Sequence, residues 1–417
     1  MNITEQNTLI STPQKRIEVL DALRGFALLG VIIVHMIQHY GIPLPSNIEV
    51  HEARFPTMDN AVRWLVDNVV MGRFINIFAF LFGLSFFIQM DRAERKGIDF
   101  RKRFIWRMFI LLIIGLFGNA FYTGDILPIY AVFGVLLVFL FRTKTWILMS
   151  MFVLLVVGTP RIIQSVHHNF QLTEQIDTEQ ITTTQALSPN IPEHISNPSF
   201  INSAKYNLTE GFLRKLSYQF GMIGRGYLTM ALFLLGFVVG RTRFFEKADR
   251  LKRKNIVILA IFAFGTFLTE LAINILPPQQ RIWILGDTPI SSEYLLVASL
   301  NDLSLVLLSG VLLMLFVTLY NLGALKKYLI LVSPYGRMGL TNYEVQSVAG
   351  CFIFSMWAFG SFFGRLGLTE LFILGLLVYS IQVIISKYFL KRFRYGLLEW
   401  FWRSATYLKL QPLKRIQ

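Results

Sequence analysis

Charge is scarce in this chain. Asp, Glu, Lys and Arg make up 16% of its 417 residues, where a soluble protein of this length carries about a quarter. Too few charges remain to cover a water-facing surface, which excludes a soluble globular domain. Cysteine is scarcer still. Cys351 stands alone, so neither an intrachain disulfide nor a thiolate metal cage can form. The six histidines show no ligand spacing, and no metal site is expected. No short apolar segment with a small-residue cleavage site precedes the first long apolar run. That argues for a retained first span and against a removed signal peptide.

What is abundant is apolar surface: 54% hydrophobic residues, 14% aromatic, mean hydropathy +0.53. Apolar runs of about 20 residues recur, the length that crosses a bilayer core. The reading is an all-α polytopic transmembrane helix bundle of about ten spans. They lie near 19–40, 70–90, 104–121, 125–141, 146–160, 218–240, 255–276, 295–320, 340–360 and 367–390. The net charge of +15 is placed unevenly. "DRAERKGIDFRKR", "FRTK", "RTRFFEKADRLKRK" and the tail from Lys387 alternate with connections nearly free of Lys and Arg, such as "GNAFYTGD". This alternation assigns the basic loops and both termini to the cytoplasm and removes nucleic acid as the reason for the basic charge.

A hydrophilic segment, 161–217, rich in Gln, Thr, Asn, Ser and Pro, separates two five-span halves, 19–160 and 218–390. It is expected outside the cytoplasm as a lid or linker. An odd number of spans per half gives the halves opposite orientation, as in an inverted repeat. Cytoplasmic tails, 1–18 and 391–417, complete the chain. "YGLLEWFWRSATYLKLQPLKR" suits a helix lying in the interface against anionic lipid.

Ionisable residues inside apolar runs are the candidate functional residues, because a buried charge costs several kcal/mol unless paired or hydrated. In "VLDALRGFALLGVIIVH" Asp21 and Arg24 are neighbours on one helix face, and His35 lies three turns along the same face. Arg73, Asn76, Arg225, Glu270 and Asp302 fall in the outer thirds of their spans, Asp125 begins the fourth, and His39 and His51 belong to the first outer connection. Ion pairing, for example of Arg225 with Glu270 or Asp302, would satisfy many of them; a polar pocket open to the outside is the alternative. In "SPYGRMGLTNYEVQS", Arg337, Thr341, Asn342, Glu344 and Gln346 are placed to pack beside Asp21 and Arg24 at a basic inner mouth. Capping of a helix start by Thr341 and Asn342 is an equal alternative.

Five ordered stretches, "LDALRGFALLGVIIVH", "RFINIFAFLFGLSF", "GDILPIYAVFGV", "GRMGLTNYEVQS" and "FRYGLLEWFWR", resemble the motifs of the YeiB family of bacterial membrane proteins over nearly the whole chain. The family is similar to the transmembrane acyltransferases, which share an "RGxA"-type first span. The resemblance implies an acyl-CoA taken from the cytoplasm as co-substrate, an acceptor hydroxyl or amine on the far side, and a histidine in catalysis. No permanently bound cofactor is implied. Many YeiB-like chains carry Asn where this one has His35, which leaves His39 and His51 as rival bases, with Asp125 assisting. Arg73 and Asn76 then suit the oxyanion or acceptor, and Arg24 and Arg337 the donor phosphates. Carriage of a small, anionic solute is the alternative function. The expected partners are the bilayer and a small-molecule substrate, with a homodimer compatible with the pattern.

Overall fold

The structure is a computed structural model describing residues 17–43, 54–176, 192–221, 224–278, 288–323 and 325–415. The described residues are helical, with one isolated antiparallel bridge, Phe393 to Lys414. Helices of eight residues or more are numbered here in chain order. Among the described residues, six stretches are long and apolar enough to cross a membrane. They are α1 (Glu18–Ile37), the stretch Pro56–Glu94, α4 (Arg101–Phe121), α11 (Lys252–Ile275), α12 (Ser292–Leu322) and α14 (Leu368–Arg392). Pro56–Glu94 comprises α2 (Pro56–Leu65), a π-helical turn at Val66–Val70, and α3 (Arg73–Glu94). A bent pair, α6 (Thr145–Val156) and α7 (Thr159–Ile176), turns by 49° at Gly158, whose φ of +82° suits glycine, and makes a seventh candidate. α5 (Leu127–Leu140) and α10 (Gly226–Thr242) are apolar but shorter, and α13 (Gly339–Phe354) is interrupted by Thr341, Asn342, Glu344, Gln346 and Ser347, so among the described residues fewer helices than the expected ten have the length and apolarity of a span.

Burial sorts these helices. In α1, 72% of the apolar window is inside the protein, in α11 only 6%. α1 is therefore central, flanked by α3, α13 and α14, whereas α11 packs on α12 and otherwise presents Ile, Val, Phe and Leu outward. The α3–α10 crossing is closest. Gly83 abuts the backbone carbonyl of Phe233, and Gly236 abuts that of Phe80, so each helix offers a missing side chain to the other's backbone.

Residues 161–217 are more structured than a linker. α7 carries on to Ile176, and α8 (Phe200–Leu208) and α9 (Glu210–Phe220) form a hairpin on the end of α4. Asn119 Nδ2 donates to the Asn207 carbonyl at 2.6 Å, and Asn207 Nδ2 returns a bond to the Ala120 carbonyl at 2.9 Å. Residues 177–191 lie outside the described residues. At the opposite end, α15 (Leu397–Tyr407) packs on α4 through Trp106 Nε1 to the Ala405 carbonyl and Trp402 Nε1 to the Arg107 carbonyl, 3.0 and 2.8 Å.

Candidate functional site

Two polar compartments occupy opposite ends of the bundle. The basic end holds a cavity of about 900 Å³. Asp21 and Arg24, three residues apart on α1, form an ion pair of 2.7 Å, and Arg24 Nη2 also donates to Ser85 Oγ on α3 at 2.7 Å. Around that pair stand Arg92, Lys96, Arg107, Arg337, Arg394, Arg403 and Arg415, answered by only one further acid in the lining, Glu399. The Arg107 guanidinium lies 3.7 Å from the centre of the Trp402 ring, and Arg403 reaches the rings of Tyr395 and Tyr407. Guanidinium groups fixed on aromatic faces lose little freedom when they bind a planar oxyanion. Glu399 has another task. Its Oε1 accepts from the Leu340 and Thr341 N–H groups at 2.7 and 3.1 Å, and its Oε2 from Thr341 Oγ1 at 2.5 Å, so it caps the first turn of α13.

The opposite compartment is built around His35, in the last turn of α1. Its ring lies 4.8 Å from Tyr122, 5.2 Å from Tyr40 and 6.3 Å from Tyr343. Asp125, wholly buried in the connection between α4 and α5, accepts from the Leu127 N–H at 2.9 Å through Oδ1. Its Oδ2 meets Glu344 of α13 beside Gly118, where a side chain on that glycine would strike both carboxyls. Lys215 reaches in from α9 and donates to Asn119 Oδ1 and, at 3.0 Å, to the Asp125 carbonyl. Burial pushes the Asp125 carboxyl up to about 6, against the pull of the Leu127 N–H and of Lys215. Burial pushes the Lys215 ammonium down to about 8, with Asp125 opposing.

This compartment is rich in unmatched polar atoms. Among the described residues, His35 Nδ1, Tyr40 Oη and both amide atoms of Gln346 are buried without a hydrogen-bond partner. Gln346 shares a face of α13 with Tyr343 and with Gly350, which abuts the Tyr40 ring. Buried polar atoms are nearly always paired in folded proteins, so a cluster of exceptions marks a place for water or a polar ligand. Tyr343 joins the two ends. Its hydroxyl accepts from the Ile126 N–H at 3.2 Å beside Asp125, its ring faces His35, and it also lines the basic cavity.

The sequence-derived candidates divide accordingly. Asp21, Arg24 and Arg337 line the basic cavity; His35, Asp125 and Glu344 meet at the other end. Glu344 thus lies with Asp125, not with Asp21 and Arg24, because it points away from the face of α13 that Gly339, Leu340 and Tyr343 turn to the cavity. His39 packs edge-on against Phe354 at 4.9 Å, one step from His35, and burial pulls its pKa down. His51 lies outside the described residues. The others stand apart from both compartments. Arg73 Nη1 donates to the Asp67 and Met71 carbonyls and closes the π-helical turn. Asn76 bonds Ser309 Oγ, Asn342 bonds Ser386 Oγ and the Tyr335 carbonyl, and Glu270 accepts from Ser304 Oγ at 2.5 Å. Asp302 pairs with Arg161 at 2.7 Å and accepts from Tyr227 Oη, while Arg225 faces Gly72. Lys215, Asn119 and the tyrosines escaped the sequence reading, whereas Gln346, expected beside Asp21 and Arg24, lies with Glu344 at the other end. Lys215 sits in a polar segment, and Tyr40, Tyr122 and Tyr343 look like ordinary interfacial aromatics until helices from both halves bring them together.

Residues 239–409 match the family model described as "Protein of unknown function (DUF418)". Nearly the whole chain is similar to bacterial proteins that are themselves uncharacterised. YxaH of Bacillus subtilis (strain 168) is 28% identical, over 96% of each chain. The 39.9 kDa protein in the amylase 3′ region of Bacillus acidopullulyticus is 27% identical, also over 96% of each. YeiB of Escherichia coli (strain K12) is 24% identical, over 93% of this chain and 95% of that one. Five ordered motifs, a DUF418 match over the C-terminal part and end-to-end likeness converge: the chain is similar over nearly its whole length to YxaH and YeiB.

Proposed function

We propose that the protein is an acyltransferase working across the bacterial plasma membrane. In this reading acyl-CoA binds in the basic, cytoplasmic cavity, and the acceptor binds in the His35 compartment on the far side. The observation that carries it is Tyr343, a single side chain that borders both the cation-lined cavity and the cluster around His35. Acyl transfer needs cations for donor phosphates, a base for the acceptor, and polar donors for the developing oxyanion. Arg24, Arg107, Arg337 and Arg403 suit the phosphates. His35 suits the base, since its Nδ1 has no partner among the described residues and its ring is fixed between tyrosines. The acceptor O–H or N–H gives its proton to His35 as the oxygen or nitrogen bonds the thioester carbon. The C–S bond then breaks, and the thiolate leaves with a proton returned through the site. The Asp125–Glu344 pair is placed to buffer that proton.

Carriage of a small anion is the second reading, favoured by the same pair of compartments facing opposite sides. Titration of CoA and acetyl-CoA into protein held in nanodiscs, with calorimetric detection, tests the first. Saturable binding lost in Arg107→Ala, with product formation lost in His35→Ala while binding persists, supports acyl transfer. Accumulation of an unaltered labelled anion in vesicles, without CoA binding, overturns it.

A further inference from the structure

The walls of the basic cavity change character along their length. α3 contributes Phe78, Phe82, Ser85, Gln89 and Arg92 to the lining, spaced by three or four residues and so on one face. From Phe78 to Arg92 that face rises about 21 Å. It is aromatic at the Tyr343 end, polar in the middle where Ser85 holds Arg24, and cationic at the mouth. The opposite wall repeats the gradient, with Met108, Leu111 and Leu127 at the deep end and Arg394, Arg403 and Arg415 at the mouth.

The deep end is a built apolar chamber. Phe78 stacks near Tyr130 and Tyr343 at 6.0 and 6.5 Å, and Phe82 packs on Tyr130 and Phe233 at 5.3 and 4.6 Å. Met108, Leu111, Leu127 and Tyr130 are almost wholly buried. Phe78 and Phe82 nonetheless keep partial exposure in the middle of a core helix, the exposure being toward the cavity. No acid lines the cavity beyond the level of Asp21 on that deep side. A donor carrying only a two-carbon acyl group would leave these rings facing water.

We propose that the cavity takes an amphipathic ligand, whose anionic head meets the cations of the mouth and whose hydrocarbon chain lies between Phe78, Phe82, Met108 and Leu127. The assignment of the anionic head to CoA rests on the acyl-transfer reading; the hydrocarbon chain rests on the apolar wall. Each methylene moved from water into such a chamber strengthens binding about fourfold at most, so chain length is the sensitive variable.

The test is a binding series in nanodiscs: CoA, acetyl-, hexanoyl-, octanoyl- and hexadecanoyl-CoA, and free octanoate, with nanodiscs lacking protein as the partition control. The expected result is affinity rising at least tenfold from acetyl- to octanoyl-CoA. Phe78→Trp should shorten the preferred chain and Phe78→Leu lengthen it, both with CoA affinity unchanged. The opposed shifts keep the test decisive if one variant fails to fold. Equal affinity for all acyl-CoAs overturns the chain assignment and leaves acyl transfer standing. No binding of any CoA species overturns both. Octanoate binding as tightly as octanoyl-CoA overturns the CoA head.

Discussion

Asp125 and Glu344, from a loop after α4 and from the second turn of α13, bring their carboxyls to the same side of Gly118. Two ionised carboxylates at that spacing repel in a buried setting, so the pair is held by a proton, with Lys215 close behind. The absence of a side chain at Gly118 is what makes the meeting fit.

Gly118→Ala is expected to separate the two acids or displace α4, at a cost of about 1–3 kcal/mol from overpacking. Tryptophan fluorescence melts would show the lower midpoint. Gly97→Ala, at a surface position with nothing close by but a positive φ, controls for a glycine effect unrelated to crowding.

Stability should depend on pH through Asp125. Burial lifts its carboxyl from the ordinary 3.8 to about 6 in the folded protein, so between those values the folded state binds more protons than the unfolded. Stability therefore falls as pH rises through that window. Asp125→Asn, which still accepts the Leu127 N–H, lacks that loss. Its advantage over the wild type should grow from pH 4 to pH 6. An advantage that shrinks with rising pH contradicts the assignment.

The Arg161–Asp302 pair joins the bent α6–α7 span to α12, both partners being buried. Arg161→Met leaves a carboxylate without its cation and should cost about 3–5 kcal/mol, whereas Arg161→Met with Asp302→Leu should recover most of that. Denaturant unfolding of the three proteins reads the difference.

Glu399 supplies the hydrogen bonds that start α13. Glu399→Ala should loosen that first turn, giving faster amide exchange at residues 340–345 with the rest of the bundle little changed. Uniformly faster exchange would mean that α15 has detached altogether.

Much of the architecture was legible because bilayer solvation writes it into the residues: long apolar runs must be helices, and basic clusters mark one end. The stripe of Asp21, Arg24 and His35 was readable from helical spacing alone, and its two ends do reach the two polar compartments. Partners across the bundle were not readable. Asp302 meets Arg161, a residue that sequence assigns to a hydrophilic loop, because α7 continues as helix past the bend at Gly158. Glu344 lies beside Asp125 for the same reason: its neighbour is fixed by how α13 packs on α4, which periodicity within α13 does not reveal. The hairpin α8–α9 hid in polar composition, since it is held on α4 by reciprocal asparagine bonds and one inserted lysine, with few apolar residues to announce it.

The interlocked glycines Gly83 and Gly236 carry one more implication. They press the main chain of α3 directly onto that of α10, inside a seam that Phe82, Phe86 and Phe87 fill against Phe233 and Phe237. In the proposed reading, passage between the two polar ends falls to Tyr343, the side chain that borders both.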